Sequence, residues 1–170
     1  MEKANVSIRR AEERDYPFIL RVNEENVEVL SPMDEERLRM FAEIADLLLV
    51  AEAEGEPCAF LIALREGADA YDSENYRWFS KTFETFLYID RVVIDGPYRG
   101  QGIGRKLYQE VYARARAGGV PLVTAEIDTI PYNAPSLKFH EEMGFKEVGT
   151  QKVRGNTVQV SLQAVAMDPD

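Results

Sequence analysis

TFLYIDRVVIDGPYRGQGIGRKLYQEVYARARAGGVPLVTAEI, Thr85 to Ile127, holds the pattern that decides the fold. Thr85 to Asp95 is rich in β-branched and aromatic residues and reads as a central strand. Gly102 to Ala117 places Ile103, Leu107, Val111 and Ala115 at i, i+4, i+8 and i+12, which is one face of a helix. Gly118–Gly119 stops that helix, and Val120 to Ile127 is a second apolar strand. Strand, helix and strand of this length form a βαβ unit, so the two strands are predicted to run parallel. Between the first strand and the helix lies Arg99-Gly100-Gln101-Gly102-Ile103-Gly104. Its glycines leave the backbone bare, so a ligand can approach the amide N–H groups closely. The helix start adds unpaired N–H donors and the positive end of its dipole, with Arg99 and Arg105 on either side. This is an anion site, best suited to phosphate.

Working outward, Asn5 to Arg10 is predicted as a strand, and Asp15 to Leu30 as a helix with Phe18, Val22 and Val29 among its apolar positions. Ser31-Pro32-Met33-Asp34 has the form of a helix start, with serine at the cap, proline in the first helical position and an acid three residues on. Leu38, Phe41, Ala42 and Ala45 continue that helix. Leu47 to Ala53 and Pro57 to Leu64 are strands around a Glu54–Gly55–Glu56 turn. Residues 65–83 read as a polar loop whose Tyr71, Tyr76, Trp78 and Phe79 serve either as plugs of the core or as a lid over a substrate. Beyond the βαβ unit, Pro131 to Phe145 starts a helix with Asn133 at the N-cap, Pro135 in the first turn and Gly144 at the end. Lys146 to Arg154 and Thr157 to Ala164 are predicted to pair around a two-residue Gly155–Asn156 turn, with Val158, Val160, Leu162 and Ala164 on one buried face. The expected architecture is α/β, one domain over residues 1–170, with a mixed sheet of about seven strands and about four helices.

Composition bounds the function. The 170 residues carry a net charge of −10, which argues against a nucleic-acid partner. A negative field with a local basic loop fits an anionic cofactor and a cationic amine better. No run is long and apolar enough for a membrane span, and MEKANVSIRR lacks the apolar centre of a secretory signal, so a cytoplasmic protein is expected. The single Cys58 lies in an apolar run and reads as a small buried hydrophobe, and one histidine with one cysteine leaves little room for a zinc site.

The glycine loop can be compared with known phosphate-binding motifs. A nucleotide P-loop requires GK followed by Ser or Thr, whereas Gly104 is followed by Arg105 and Lys106. The dinucleotide fingerprint asks for a small residue where Arg105 stands and for an early βαβ unit. The other signatures that accompany a kinase loop are absent.

Arg99 to Gly104 resembles the Q/R-x-x-G-x-G/A motif of the GNAT superfamily of N-acetyltransferases. RVVIDGPY before it and NAPSLKFHEEMGF after it are similar to that family's neighbouring motifs, and the element order is similar along essentially the whole chain. The resemblance implies acetyl-CoA as cosubstrate; no metal is expected beside it, given the single histidine and cysteine. Its pyrophosphate would lie on the backbone N–H groups from Gln101 through Gly102, Ile103 and Gly104 to Arg105, beside Arg99 and Gly100. Its pantetheine arm would pair with the backbone of Val92 and Val93 or Ile94, and Asn133 would also touch the cofactor. A backbone N–H near Val93 would stabilise the oxyanion.

Acetyl transfer to an amine needs a neutral amine, a stabilised oxyanion and a protonated leaving thiolate. The family's usual tyrosine acid is replaced here by His140, which can donate a proton near neutral pH; Tyr132 and Tyr88 are the other donors in range of the motifs. Asp90, before the pantetheine-pairing residues, and Glu126, on the adjacent strand, are the candidate bases, each alternatively a salt-bridge partner, for instance of Arg91 or Lys138. Glu24, Glu25 and Asn26, near the end of the first helix, read as a solvated helix face, with an acceptor amine as the alternative they could face. The expected protein is an acetyl-CoA-dependent N-acetyltransferase of a small-molecule or peptide amine, a homodimer by the side-by-side sheets common in such domains. The alternative is a non-catalytic acyl-CoA-binding module. Acceptor choice is left to residues 23–34 and 65–83, which carry no recognisable pattern.

Overall fold

In a computed structural model, residues 5–27, 30–130 and 133–168 are described. The strands are β1 (Val6–Arg10), β2 (Leu47–Ala53), β3 (Glu56–Arg65), β4 (Leu87–Ile94), β5 (Leu122–Ile130), β6 (Lys146–Val153) and β7 (Val158–Ala166). The helices are α1 (Tyr16–Glu24), α2 (Glu35–Ile44), α3 (Glu74–Thr82), α4 (Ile103–Ala117) and α5 (Ala134–Glu142). The strands form one mixed seven-stranded sheet in the order β1-β2-β3-β4-β5-β7-β6. β4 and β5 are parallel, as the βαβ pattern predicts, in the register Leu87↔Val123 and Tyr88↔Thr124. The remaining registered pairs, β1 with β2, β2 with β3, β5 with β7 and β6 with β7, are antiparallel.

Contacts gather the chain into two units, one of Met1–Leu64 with Ile89–Val111, the other of Arg65–Tyr88 with Tyr112–Asp170. The core of the first is set by β2 and β3, whose near-continuous apolar runs are buried on both faces. Glu54 and Gly55 join them with φ of 53° and 82°, the paired left-handed conformation of a tight hairpin. Ile103, Leu107 and Val111 bury one side of α4, and Ala115 continues that stripe in the second unit.

Four local expectations are corrected. Asp34, not Ser31, caps α2: the helix begins at Glu35, and the Asp34 carboxylate accepts the Arg37 N–H at 2.8 Å, an N–H of the first turn. The helix expected over residues 15–30 ends at Glu24, where the Asn23 amide donates to the Ser31 carbonyl (3.1 Å) and the Asn26 amide to the Val22 carbonyl (2.7 Å); Val29 lies outside the described residues. Residues 65–83 are not all loop, because α3 occupies their second half with Ser73 as its N-cap, accepting from the Tyr76 N–H at 3.2 Å. The β6–β7 connection is wider than two residues: Val153 pairs with Val158, and Arg154, Gly155 and Asn156 are all left-handed.

Candidate active site

In the first unit, β4 runs into the glycine loop. Gly100 and Gly102 both take φ of 79°, a conformation that costs glycine nothing and strains other residues. A Cβ at Gly100 would meet nothing within 4 Å, so the backbone there faces open space. The first bond of α4 runs from the Lys106 N–H to the Gly102 carbonyl at 3.2 Å. The N–H groups of Ile103, Gly104 and Arg105 precede that first bond and stand at the positive end of the helix. Arg99 reaches back to the Ile94 carbonyl (3.4 Å) and the Asn26 side chain (3.1 Å), which ties the loop to β4 and to the turn after α1. Near the end of β4, Val93 is buried, while Val92 and Ile94 are half-buried.

Asp90 is committed to an ion pair. Its carboxylate accepts from Arg91 Nε at 2.7 Å, with both side chains almost fully buried. Arg91 also donates to Asn23 Oδ1 (2.9 Å) and the Ser31 carbonyl (3.2 Å), and its guanidinium lies 5.4 Å from the centroid of the Phe41 ring. The pair is the salt-bridge alternative that the sequence offered for Asp90. Cys58 is fully buried, and burial, helped by Asp95 and Glu52, pushes its thiol up to about 11, so it holds its proton at neutral pH.

In the second unit, Tyr88 donates its hydroxyl to Glu126, 2.7 and 2.9 Å from the two carboxylate oxygens. The register explains the contact: Tyr88 faces Thr124, and Glu126 is two residues further along the same face of β5. Tyr88 is fully buried, and Tyr76 and Phe79 of α3 each lie 5.6 Å from its ring, centroid to centroid. Trp78 lies over Gly149 of β6, where a Cβ would strike the indole. Gln151 donates to Asn75 at 3.2 Å and the Arg154 N–H to Glu74 at 3.3 Å, fixing α3 along β6.

Asn133 caps α5 as predicted, its side-chain oxygen accepting the Ser136 N–H at 3.3 Å. His140 is 5% exposed, and its Nδ1–H is held by the Ser136 carbonyl at 2.7 Å. Phe139 and Phe145 meet its ring edge-on at 5.4 and 5.0 Å. Burial lowers its proton affinity below the ordinary imidazole range, so the ring is neutral near pH 7. Tyr132 lies outside the described residues. The Tyr88–Glu126 pair and α3 escaped the sequence reading, although Tyr76, Phe79 and Phe83 at i, i+3 and i+7 behind Ser73 carried a helical signal. Among the described residues no helix is long and apolar enough to cross a membrane, and no group of three or more His, Cys, Asp or Glu could hold a metal ion.

A central strand that ends in a glycine-lined loop, and a helix that opens on that loop, define an α/β protein with a backbone cradle at the strand's end. Residues 6–145 match the acetyltransferase (GNAT) family, and the chain belongs to it. Similar solved structures include the ribosomal-protein-alanine N-acetyltransferase from Brucella melitensis, 26% identical, covering 94% of this chain and 99% of that one with a TM-score of 0.72. YncA from Salmonella typhimurium, solved with its cofactor acetyl-CoA, is 20% identical over 97% of this chain and 95% of that one, TM-score 0.72. The ribosomal-protein-S18-alanine N-acetyltransferase from Escherichia coli is 16% identical over 98% and 96%, TM-score 0.73. No curated protein sequence matches the chain significantly.

Proposed function

We propose that this protein transfers an acetyl group directly from acetyl-CoA to a primary amine of a small molecule or peptide. The observation that carries the proposal is the glycine cradle: two left-handed glycines, open space at Gly100 and the N–H groups at the positive end of α4. These fit a pyrophosphate, which needs several N–H donors and close backbone approach. Bound acetyl-CoA would supply the thioester carbonyl and a thiolate leaving group. Gln101 to Arg105 would hold its pyrophosphate, Arg99 and Gly100 would border it, and the backbone of Val92, Val93 and Ile94 would hold the pantetheine. The Val93 N–H is the assigned donor to negative charge on the carbonyl oxygen. Asn133 gives its side-chain oxygen to the α5 cap, which leaves its amide donor for the cofactor contact that the family resemblance implies.

Glu126 is assigned as the group that accepts the amine proton, since the Asp90 carboxylate is engaged by buried Arg91. His140, with Nδ1–H given to Ser136, is assigned to holding α5 rather than to protonating the thiolate.

Thiol release from acetyl-CoA across a panel of amines tests the proposal, beside calorimetric titration with coenzyme A. Glu126→Gln is expected to lower kcat by about 10²-fold or more with coenzyme A affinity unchanged. Gly102→Val is expected to weaken that affinity about tenfold, because a β-branched side chain is strained at this φ. Tight binding without turnover on any amine would make the protein an acyl-CoA-binding module. Absence of binding would overturn both readings.

A further inference from the structure

We propose that Tyr88 is a positioning residue for the proton acceptor: its hydroxyl fixes the orientation of the Glu126 carboxylate and keeps it ionised, and α3 holds Tyr88 in place for that purpose. The inference rests on the assignment of Glu126 above. Its first support is geometry, because one phenolic hydroxyl lies within hydrogen-bond distance of both carboxylate oxygens, 2.7 and 2.9 Å away. A carboxylate bound in this way by a neutral donor is favoured in its charged form and loses rotational freedom.

The second support is the construction around the phenol. Tyr88 is fully buried, and the rings of Tyr76 and Phe79 pack on it from α3, while Phe86 packs on both Tyr76 and Phe79. Tyr76 is itself fixed, donating to the Arg65 carbonyl at 2.7 Å and accepting from the Ala68 N–H at 2.9 Å. A fully buried ring packed against two aromatic rings of α3 holds its hydroxyl on Glu126. Among the described residues, the neighbours on this face include the following. On β5, Asp128 lies two residues beyond Glu126, with the Arg154 charge acting on it. On β7, the residue opposite Glu126 is Leu162. α3 turns Tyr76 and Phe79 toward the pair, both through their rings.

Tyr88→Phe keeps the ring and its packing and deletes only the hydroxyl. The decisive readout is direct titration of Glu126 by NMR on protein labelled with ¹³C at glutamate side-chain carboxyls, with Glu126→Gln identifying the resonance. In Tyr88→Phe the titration midpoint is expected to rise by about one pH unit, the loss of one charge-assisted hydrogen bond. The acid limb of the kcat/KM profile should move the same way, with coenzyme A affinity unchanged. An unmoved Glu126 midpoint in a folded Tyr88→Phe protein overturns the proposal. That result stands apart from the acetyltransferase reading, which is tested by coenzyme A binding and turnover of the unmodified enzyme.

Discussion

His140 and Gly149 show what single positions contribute. The buried imidazole is neutral in the folded protein because burial lowers its proton affinity below the ordinary value of 6.5. In the unfolded chain the same ring takes up a proton once the pH falls below about 6.5. The unfolded state then binds more protons than the folded state, so the ring's contribution is intact above that pH and is withdrawn as the pH falls through and below it. Thermal melts at about pH 7.5 and about pH 5.5 should therefore show a lower Tm at the acid end, and His140→Gln should narrow the difference. Gly149 has a steric role, since any Cβ there meets the Trp78 indole. Gly149→Ala is expected to cost about 1–3 kcal/mol, read as a fall in Tm or in the urea midpoint.

Among the elements, α2 and α3 separate what the sequence displays from what it conceals. The residues 31–34 announce a helix, but two of them can cap it, and only Asp34 has its side chain on an N–H of the first turn. Asp34→Ala should cost about 1 kcal/mol, whereas Ser31→Ala should leave the denaturation midpoint nearly unchanged. α3 is harder to see because ENYRWFSKT mixes polar and aromatic residues, and its partners are distant in sequence. Trp78 meets Gly149, and Asn75 meets Gln151, so the helix is specified by packing that no local window contains. The βαβ unit, the glycine loop and the Asn133 cap were legible because each depends on neighbours in sequence, through period, glycine placement and cap chemistry. The Tyr88–Glu126 pair was not, since it follows from the register of two strands and from a helix that the sequence reading missed. The same holds for Arg91 and Asn23, which lie 68 residues apart in the chain.

For the molecule as a whole, the buried Asp90–Arg91 pair is costly to break. Arg91 joins β4 to Asn23 of α1, to the Ser31 carbonyl and to the Phe41 ring of α2. Arg91→Met leaves the Asp90 carboxylate buried without its cation and should destabilise the fold by about 3–5 kcal/mol in equilibrium urea unfolding. Asp90→Leu combined with Arg91→Met should recover much of that loss, because no charge is then stranded. The same contacts order events during synthesis on the ribosome. The first unit is discontinuous, and the residues that close it, Ile89–Val111, are translated only after the whole of Arg65–Tyr88. At about 5–20 residues per second, α1 and α2 wait seconds for the arginine that locks them together. A nascent chain stalled before β4 would leave the β3 edge of the apolar β2–β3 hairpin without its neighbouring strand, and would be a client for chaperones.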